Sequence, residues 1–64
     1  MEMTKSEIIQ LLKGGYYEPF ENELEELAEE YDSTIEKWLD WRYGWHPETV
    51  ANLLCLNYPN KFID

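Results

Sequence analysis

Residues 31–46 read YDSTIEKWLDWRYGWH, and this stretch holds all three tryptophans, two of the five tyrosines and the only histidine. The sequence before it is acidic, and the sequence after it is largely apolar. Each aromatic ring carries a large apolar area, so a small chain can draw much of its core from such a cluster. The rest of the chain is therefore expected to pack around these rings.

Residues 32–34 decide whether this stretch continues the helix before it. Ser33 and Glu36 have the spacing of a capping box, which favours a break and a new helix that ends at Gly44. The opposing signal is a heptad register, in which large apolar residues recur at every seventh position: Leu24, Tyr31, Trp38 and Trp45. One continuous helix over 19–43 would place them on a coiled-coil seam. Aromatic residues fill such a seam poorly, so we favour the break.

The other helix boundaries follow from capping residues and prolines. Thr4 and Glu7 have capping-box spacing, and Gly14 follows the apolar run that they open. Pro19 and Pro47 each suit the first position of a helix. We therefore predict that residues 1–64 form one acidic all-α domain, a bundle of three or four short helices at about 5–13, 19–31, 34–43 and 47–56.

Charge limits the kinds of partner that this chain can bind. It has 64 residues and a formal net charge of −9. Nucleic-acid phosphates and anionic membrane surfaces would both be repelled, so we expect neither as a direct partner. A basic protein surface is the expected partner, because opposite charge speeds the encounter.

The apolar pattern and the cysteine content bear on the compartment. The longest apolar run, residues 53–56, is far shorter than the roughly 20 residues that a membrane span needs. The first residues lack the pattern of a signal peptide. Cys55 is the only cysteine, which excludes a disulfide within the chain and fits a reducing compartment. We expect a cytoplasmic protein, either of the cell or of an infected host.

The strongest indication of function is an acidic segment that contains no basic residue. Fourteen residues are acidic, and no lysine or arginine lies between Lys13 and Lys37. On a helix, glutamates four residues apart repel each other, and local conflicts of this kind tend to occur at functional surfaces. A solvated face that only confers solubility is the simpler interpretation. If the surface is functional, the partner-binding residues are predicted to be Glu21, Glu25, Glu26, Glu29, Glu30, Asp32, Glu36 and Trp41.

The tryptophans divide between core and surface. At 100° per residue, Trp38 lies on the inner face of the third helix, while Trp41 lies well to one side of that face. Trp41 is therefore a candidate interface anchor, a role in which tryptophan is enriched. The tail residues Phe62 and Ile63 are candidates to dock on the core.

No catalytic or metal-binding pattern is present. His46 and Cys55 are separated by about 14 Å of helix rise, too far to act as a base and a nucleophile. His46 is expected to cap the fourth helix, and Cys55 to be a small buried apolar residue. Glu23, Glu26 and Glu30 have the oxygen ligands that a hard cation prefers, but no calcium-loop pattern surrounds them. We expect no enzyme activity, no cofactor and no metal.

Two functions fit these properties. The first is a non-enzymatic inhibitor or regulator that mimics a nucleic-acid backbone and occupies the basic surface of a host nucleic-acid enzyme. Viruses and mobile elements use small acidic inhibitors of this kind. The likeness rests on size, charge and aromatic content and not on a specific motif. The alternative is a homo-oligomeric scaffold or adaptor, such as a homodimer, that associates through the seam of the second and third helices, with the acids only solvating it.

Overall fold

The computed structural model describes residues 2–40, 42 and 44–63. They form four α-helices, a short 3-10 helix and two strands. In chain order these are β1 (Met3–Thr4), α1 (Lys5–Lys13), the 3-10 helix (Glu18–Phe20), α2 (Glu21–Glu30), α3 (Ile35–Trp38), α4 (Pro47–Asn57) and β2 (Phe62–Ile63). The chain is mostly helical, but the predicted all-α class is wrong in one respect, because β1 and β2 pair.

The two strands form a small parallel sheet from opposite ends of the described chain. Met3 lies opposite Phe62, and the Met3 N–H donates to the carbonyl oxygen of Lys61 at 3.0 Å. The Phe62 ring is buried and packs edge-on against Phe20, with 6.3 Å between ring centroids. Burial of this ring brings the tail to β1, whereas Ile63 stays on the surface.

Both ends of α1 form as the sequence predicts. The Glu7 N–H donates to the Thr4 hydroxyl at 3.2 Å, and the Thr4 N–H donates to the Glu7 carboxylate at 3.0 Å. At the other end, Gly15 adopts a left-handed conformation with φ of 77°. The turn lets the Tyr16 N–H reach the carbonyl oxygen of Leu11 at 2.9 Å. These contacts satisfy backbone groups that a helix end would leave without partners.

The predicted helix over 19–31 is divided, and the predicted break after it is confirmed. Pro19 lies in the 3-10 helix, and α2 follows. Asp32 has a positive φ of 53°, which no helix interior contains. The Ser33 N–H then donates to the carbonyl oxygen of Ala28 at 2.9 Å. This is the same helix ending as in α1, with an aspartate where α1 has a glycine.

The cap of α3 is one residue later than predicted. The Thr34 hydroxyl accepts a hydrogen bond from the Lys37 N–H at 3.2 Å, so Thr34, and not Ser33, is the cap. Because the Ser33 N–H closes the end of α2, the new helix begins after it.

The predicted extent of the third helix, 34–43, is also wrong, since α3 ends at Trp38. The chain then turns back, and the Trp45 N–H donates to the carbonyl oxygen of Trp38 at 3.2 Å. A Cβ atom on Gly44 would lie 2.6 Å from that same oxygen and closer still to the carbonyl oxygen of Lys37. Gly44 is therefore required for this close approach, and not as a helix stop.

One cluster of buried side chains holds these elements together. Helix α1 packs mainly on α4, and α2 contacts both α3 and α4. The cluster takes residues from every helix and from β2: Ile8, Leu12, Phe20, Leu24, Leu27, Ala28, Trp38, Val50, Ala51, Leu54 and Phe62. Among the described residues, no helix has the length and apolar character needed to cross a membrane.

Candidate protein-binding surface

The outer face of α2 carries five glutamates that are all exposed. The helix buries Leu24, Leu27 and Ala28 on its inner side, which leaves the positions between them to solvent. The glutamates form two rows at four-residue spacing, named here the first row (Glu21, Glu25 and Glu29) and the second row (Glu26 and Glu30). Successive members of a row lie about 6 Å apart along the helix axis.

The first row borders a cleft of ≈ 250 Å³ between α2 and the start of α3. Glu25 and Glu29 line this cleft from α2, and Glu36 lines it from the first turn of α3. The Tyr17 side chain is shared between this cleft and a neighbouring depression that Glu21 lines. The fold thus brings Glu36 to the first row, although it is seven residues beyond Glu29 in sequence.

The second row faces the C-terminal end of α4. Burial raises the pKa of Tyr58, and the charges of Glu26 and Glu30 add to this rise. Lys61 lies on the same side and donates a hydrogen bond to the Glu23 carboxylate at 2.8 Å. That bond is the main cause of the raised pKa of Lys61, and Glu26 adds to it. The second row therefore has a lysine close by.

The first row has no such neutralising partner in the part of the chain that the structure describes. The ion pairs between described residues are Lys61 with Glu23, and Arg42 with Asp40 at 3.4 Å. The first row thus remains the more strongly negative of the two surfaces. Asp32 and Glu36 are also exposed and extend the negative surface beyond the end of α2.

Three aromatic rings adjoin the C-terminal end of α2. Tyr31 packs edge-on against Trp38 and Trp45, with ring centroids 5.6 and 5.9 Å away, and the two tryptophans lie 5.8 Å apart. Trp38 is only 2% exposed, which confirms its predicted place in the core. Tyr31 and Trp45 remain 47% and 38% exposed. Trp41, the predicted anchor, lies outside the described residues, so that prediction stays a prediction.

The remaining candidate side chains do not form a reaction centre within the described residues. His46 occupies the N-cap position of α4, but its side chain makes no capping hydrogen bond. Cys55 is half-buried near the other end of α4, so the two residues do not meet. No group of three His, Cys, Asp or Glu side chains among the described residues is arranged to hold a metal ion.

The structure also contains an apolar groove that the sequence reasoning missed, named here the α4 groove. It has a volume of ≈ 440 Å³ and is lined by Asn52, Cys55, Leu56, Pro59, Phe62 and Ile63. Leu56 is the most exposed large apolar side chain of the described residues, at 77%. Helix geometry could have predicted this exposure. Each residue turns the helix by 100°, so Leu56, two residues after the buried Leu54, lies on the opposite side of α4.

Comparison of the chain with protein-family models, with curated proteins and with solved structures finds no match.

Proposed function

We propose that this chain is a non-enzymatic inhibitor or regulator that binds the basic, nucleic-acid-binding surface of another protein. The observation that carries the proposal is the first row of glutamates on α2. Glu21, Glu25 and Glu29 are exposed, and none pairs with a lysine or arginine of the described residues. Glu36 adds a fourth carboxylate across the cleft. We place the interaction in the cytosol, where Cys55 would remain reduced.

The geometry of the first row supports mimicry of a nucleic-acid backbone. A rigid helix holds its carboxylates at a repeat of about 6 Å, which is the scale of a phosphate backbone. Because Leu24 and Leu27 fix the helix against the core, the backbone positions that carry these glutamates are set before binding. A partner that evolved to bind phosphates would meet these charges with lysines and arginines.

The exposed aromatic rings give the second part of the proposed surface. Tyr31 and Trp45 lie at the C-terminal end of the glutamate rows, and both retain exposed ring area. Tyrosine and tryptophan are enriched among the residues that contribute most to binding energy. In this proposal the charges increase the association rate, and the rings lower the dissociation rate.

A homo-oligomeric scaffold remains the second candidate, and one observation favours it. In the predicted seam of the second and third helices, Leu24, Leu27 and Trp38 are buried in the core and are not available to a second chain, whereas Tyr31 and Trp45 remain partly exposed. The α4 groove is exposed, however, and offers a different apolar surface for self-association.

The test compares two variants that change the same number of charges on the same helix. Glu25→Lys with Glu29→Lys reverses two of the three charges of the first row, and Glu26→Lys with Glu30→Lys reverses both charges of the second. Each variant and the wild type capture partners from host lysate at low salt. A captured nucleic-acid-binding protein is then purified, and its bound, fluorescently labelled duplex is titrated with each variant.

We expect wild type to displace the duplex and the first-row variant to lose about 10- to 100-fold in apparent affinity. The second-row variant should lose less than about fivefold, because Lys61 already lies near Glu26. Displacement should also weaken at high salt, where exposed charges are screened. Equal displacement by all three proteins, or capture of no nucleic-acid-binding protein, would contradict the proposal.

A further inference from the structure

The cleft between α2 and α3, named here the α2–α3 cleft, carries carboxylates on two of its walls. Glu25 and Glu29 line it from α2, and Glu36 lines it from the first turn of α3. Its volume of ≈ 250 Å³ lies below the range of about 300–1,000 Å³ that is typical of small-molecule pockets. The cleft therefore fits one long side chain of a partner. The side chains that line the rest of it are not acidic: Tyr17, Ser33, Thr34 and Ile35.

Charge indicates which kind of side chain can occupy this cleft. The ion pairs between described residues are those of Lys61 with Glu23 and of Arg42 with Asp40, and neither involves a carboxylate of the cleft. An acidic side chain would be repelled there, and a neutral one would leave the carboxylates without a counter-charge. The occupant that complements the cleft is therefore a cationic side chain, which limits the choice to lysine and arginine.

The side chains between the carboxylates favour arginine over lysine. Tyr17 and Ile35 line the cleft, and both are half-buried, so they form a fixed apolar part of its surface. An arginine guanidinium is planar, stacks on aromatic side chains and donates forked hydrogen bonds to carboxylates. A lysine ammonium is a compact and strongly hydrated charge, so it gains less from an aromatic neighbour. A cleft that needed only a positive charge would not require the tyrosine.

A second combination of ring and carboxylate lies at the C-terminal end of α2. Tyr31 and Trp45 pack against each other, with 5.9 Å between ring centroids, and each keeps exposed ring area. Asp32, which follows Tyr31 in the chain, is also exposed. Tryptophan and tyrosine rings attract cations, and arginine is their more frequent partner. The acidic surface thus offers aromatic side chains near both ends of the first row, as arginine recognition requires.

We propose that this chain recognises its basic partner through arginine, with one arginine side chain of the partner inserted in the α2–α3 cleft. The guanidinium donates to Glu36 on one wall and to the first row on the other, and it lies against Tyr17. A lysine at the same place keeps the charge but lacks the stacking and the forked hydrogen bonds. This inference rests on the proposed function, because it names the side chain that the first row binds.

The test uses the full chain and two labelled peptides of equal length and charge, one with arginines and one with lysines at the same positions. Fluorescence anisotropy at low salt gives the two dissociation constants. Wild type should bind the arginine peptide about three- to tenfold more tightly. Tyr17→Leu removes the ring but keeps an apolar side chain against the core, and it should reduce this preference to less than about twofold. Tyr16→Leu is the matched control, since Tyr16 does not line the cleft.

A second pair of variants tests the carboxylates of the cleft. Glu36→Gln and Glu26→Gln each remove one negative charge at an exposed position, but only Glu36 lines the cleft. Glu36→Gln should weaken binding of the arginine peptide about three- to fivefold, and Glu26→Gln less than about twofold. Circular dichroism checks the fold of every variant. If Tyr17→Leu does not fold, the comparison of Glu36→Gln with Glu26→Gln still decides the matter.

Two results would overturn this inference. The first is equal affinity of wild type for the two peptides, and the second is an equal effect of each cleft variant and its control, which would place the arginine elsewhere. Duplex displacement by wild type together with either result would leave the proposed function standing. Failure of wild type to displace the duplex, with the arginine preference intact and lost in Glu36→Gln, would instead count against the proposed function. The two failures are therefore distinguishable.

Discussion

The outer faces of α2 and α4 differ in their density of charge, although the two helices contribute to the core in the same way. Helix α2 buries Leu24, Leu27 and Ala28, and α4 buries Val50, Ala51 and Leu54. On the outside, α2 presents five glutamates, whereas α4 presents Glu48 near its start and Leu56 beside a groove that no charged side chain of the described residues lines. The inner faces meet the same demand, which is burial of apolar area. The outer faces are free of that demand, so the proposed binding surfaces lie there.

The largest expected effect is a difference in folding stability between substitutions on the buried side and on the exposed side of α4. Leu54→Ala is expected to lower the free energy of unfolding by about 2–5 kcal/mol, because it leaves a cavity at a fully buried position. Leu56→Ala should change it by less than about 0.5 kcal/mol in the monomer, since that side chain is exposed. Urea denaturation at low protein concentration measures both values.

A comparable loss of stability in the two variants would contradict the division of α4 into a buried and an exposed side. It would mean that Leu56 is packed within the monomer and is not available to a second copy. The m-values should also match that of wild type, because neither change is expected to alter the area exposed on unfolding.

Local signals predicted much of this fold. The capping box of Thr4 and Glu7 and the proline at position 47 fixed the starts of α1 and α4, because each acts within one helical turn. The predicted 5–13 agrees with α1, and 47–56 agrees with α4 to within one residue. The five glutamates of α2 could likewise be placed outside, since the spacing of Leu24 and Leu27 defines the inner face.

Features that depend on distant contacts could not be predicted. The pairing of β1 with β2 joins residues near the two ends of the chain, and it follows from docking of Phe62 on the core. The early end of α3 follows from packing of Trp45 on Trp38, which helical periodicity does not contain. The first row differs from the second because Lys61, far away in sequence, lies beside Glu23 and Glu26.

An intermediate effect should follow removal of the lysine that distinguishes the two rows. Lys61→Gln breaks the bond to Glu23, whose side chain is only 16% exposed. The free energy of unfolding should fall slightly, because an ion pair of an exposed lysine contributes little to stability; urea denaturation measures the change. In the duplex-displacement assay, the second row should then become as sensitive to charge reversal as the first. Continued insensitivity of the second row would show that Lys61 is not the cause.

The pH dependence gives an independent measure of this ion pair. The hydrogen bond from Lys61 lowers the pKa of Glu23 below its usual 4.5. A lowered carboxyl pKa contributes stability above the unfolded value and loses it as the pH falls through the folded value. The stability difference between wild type and Lys61→Gln should therefore be constant near neutral pH and shrink below about pH 4.5. A difference that persists at pH 2 would have a non-ionic origin.

The smallest effect tests the meaning of the first row. Glu25 lies four residues from both Glu21 and Glu29, and such like-charge pairs destabilise a helix by a few tenths of a kcal/mol each. Glu25→Lys should therefore raise the free energy of unfolding by about 0.5–1 kcal/mol at low salt, and less at high salt. Glu2→Lys is the control, because it makes the same charge change outside the helices. If Glu25→Lys stabilises the fold more than Glu2→Lys and also weakens duplex displacement, the row lowers stability and serves binding. Equal stability of the two variants would mean that the glutamates of the first row do not destabilise the helix by mutual repulsion. They would then be a solvated face without a binding role.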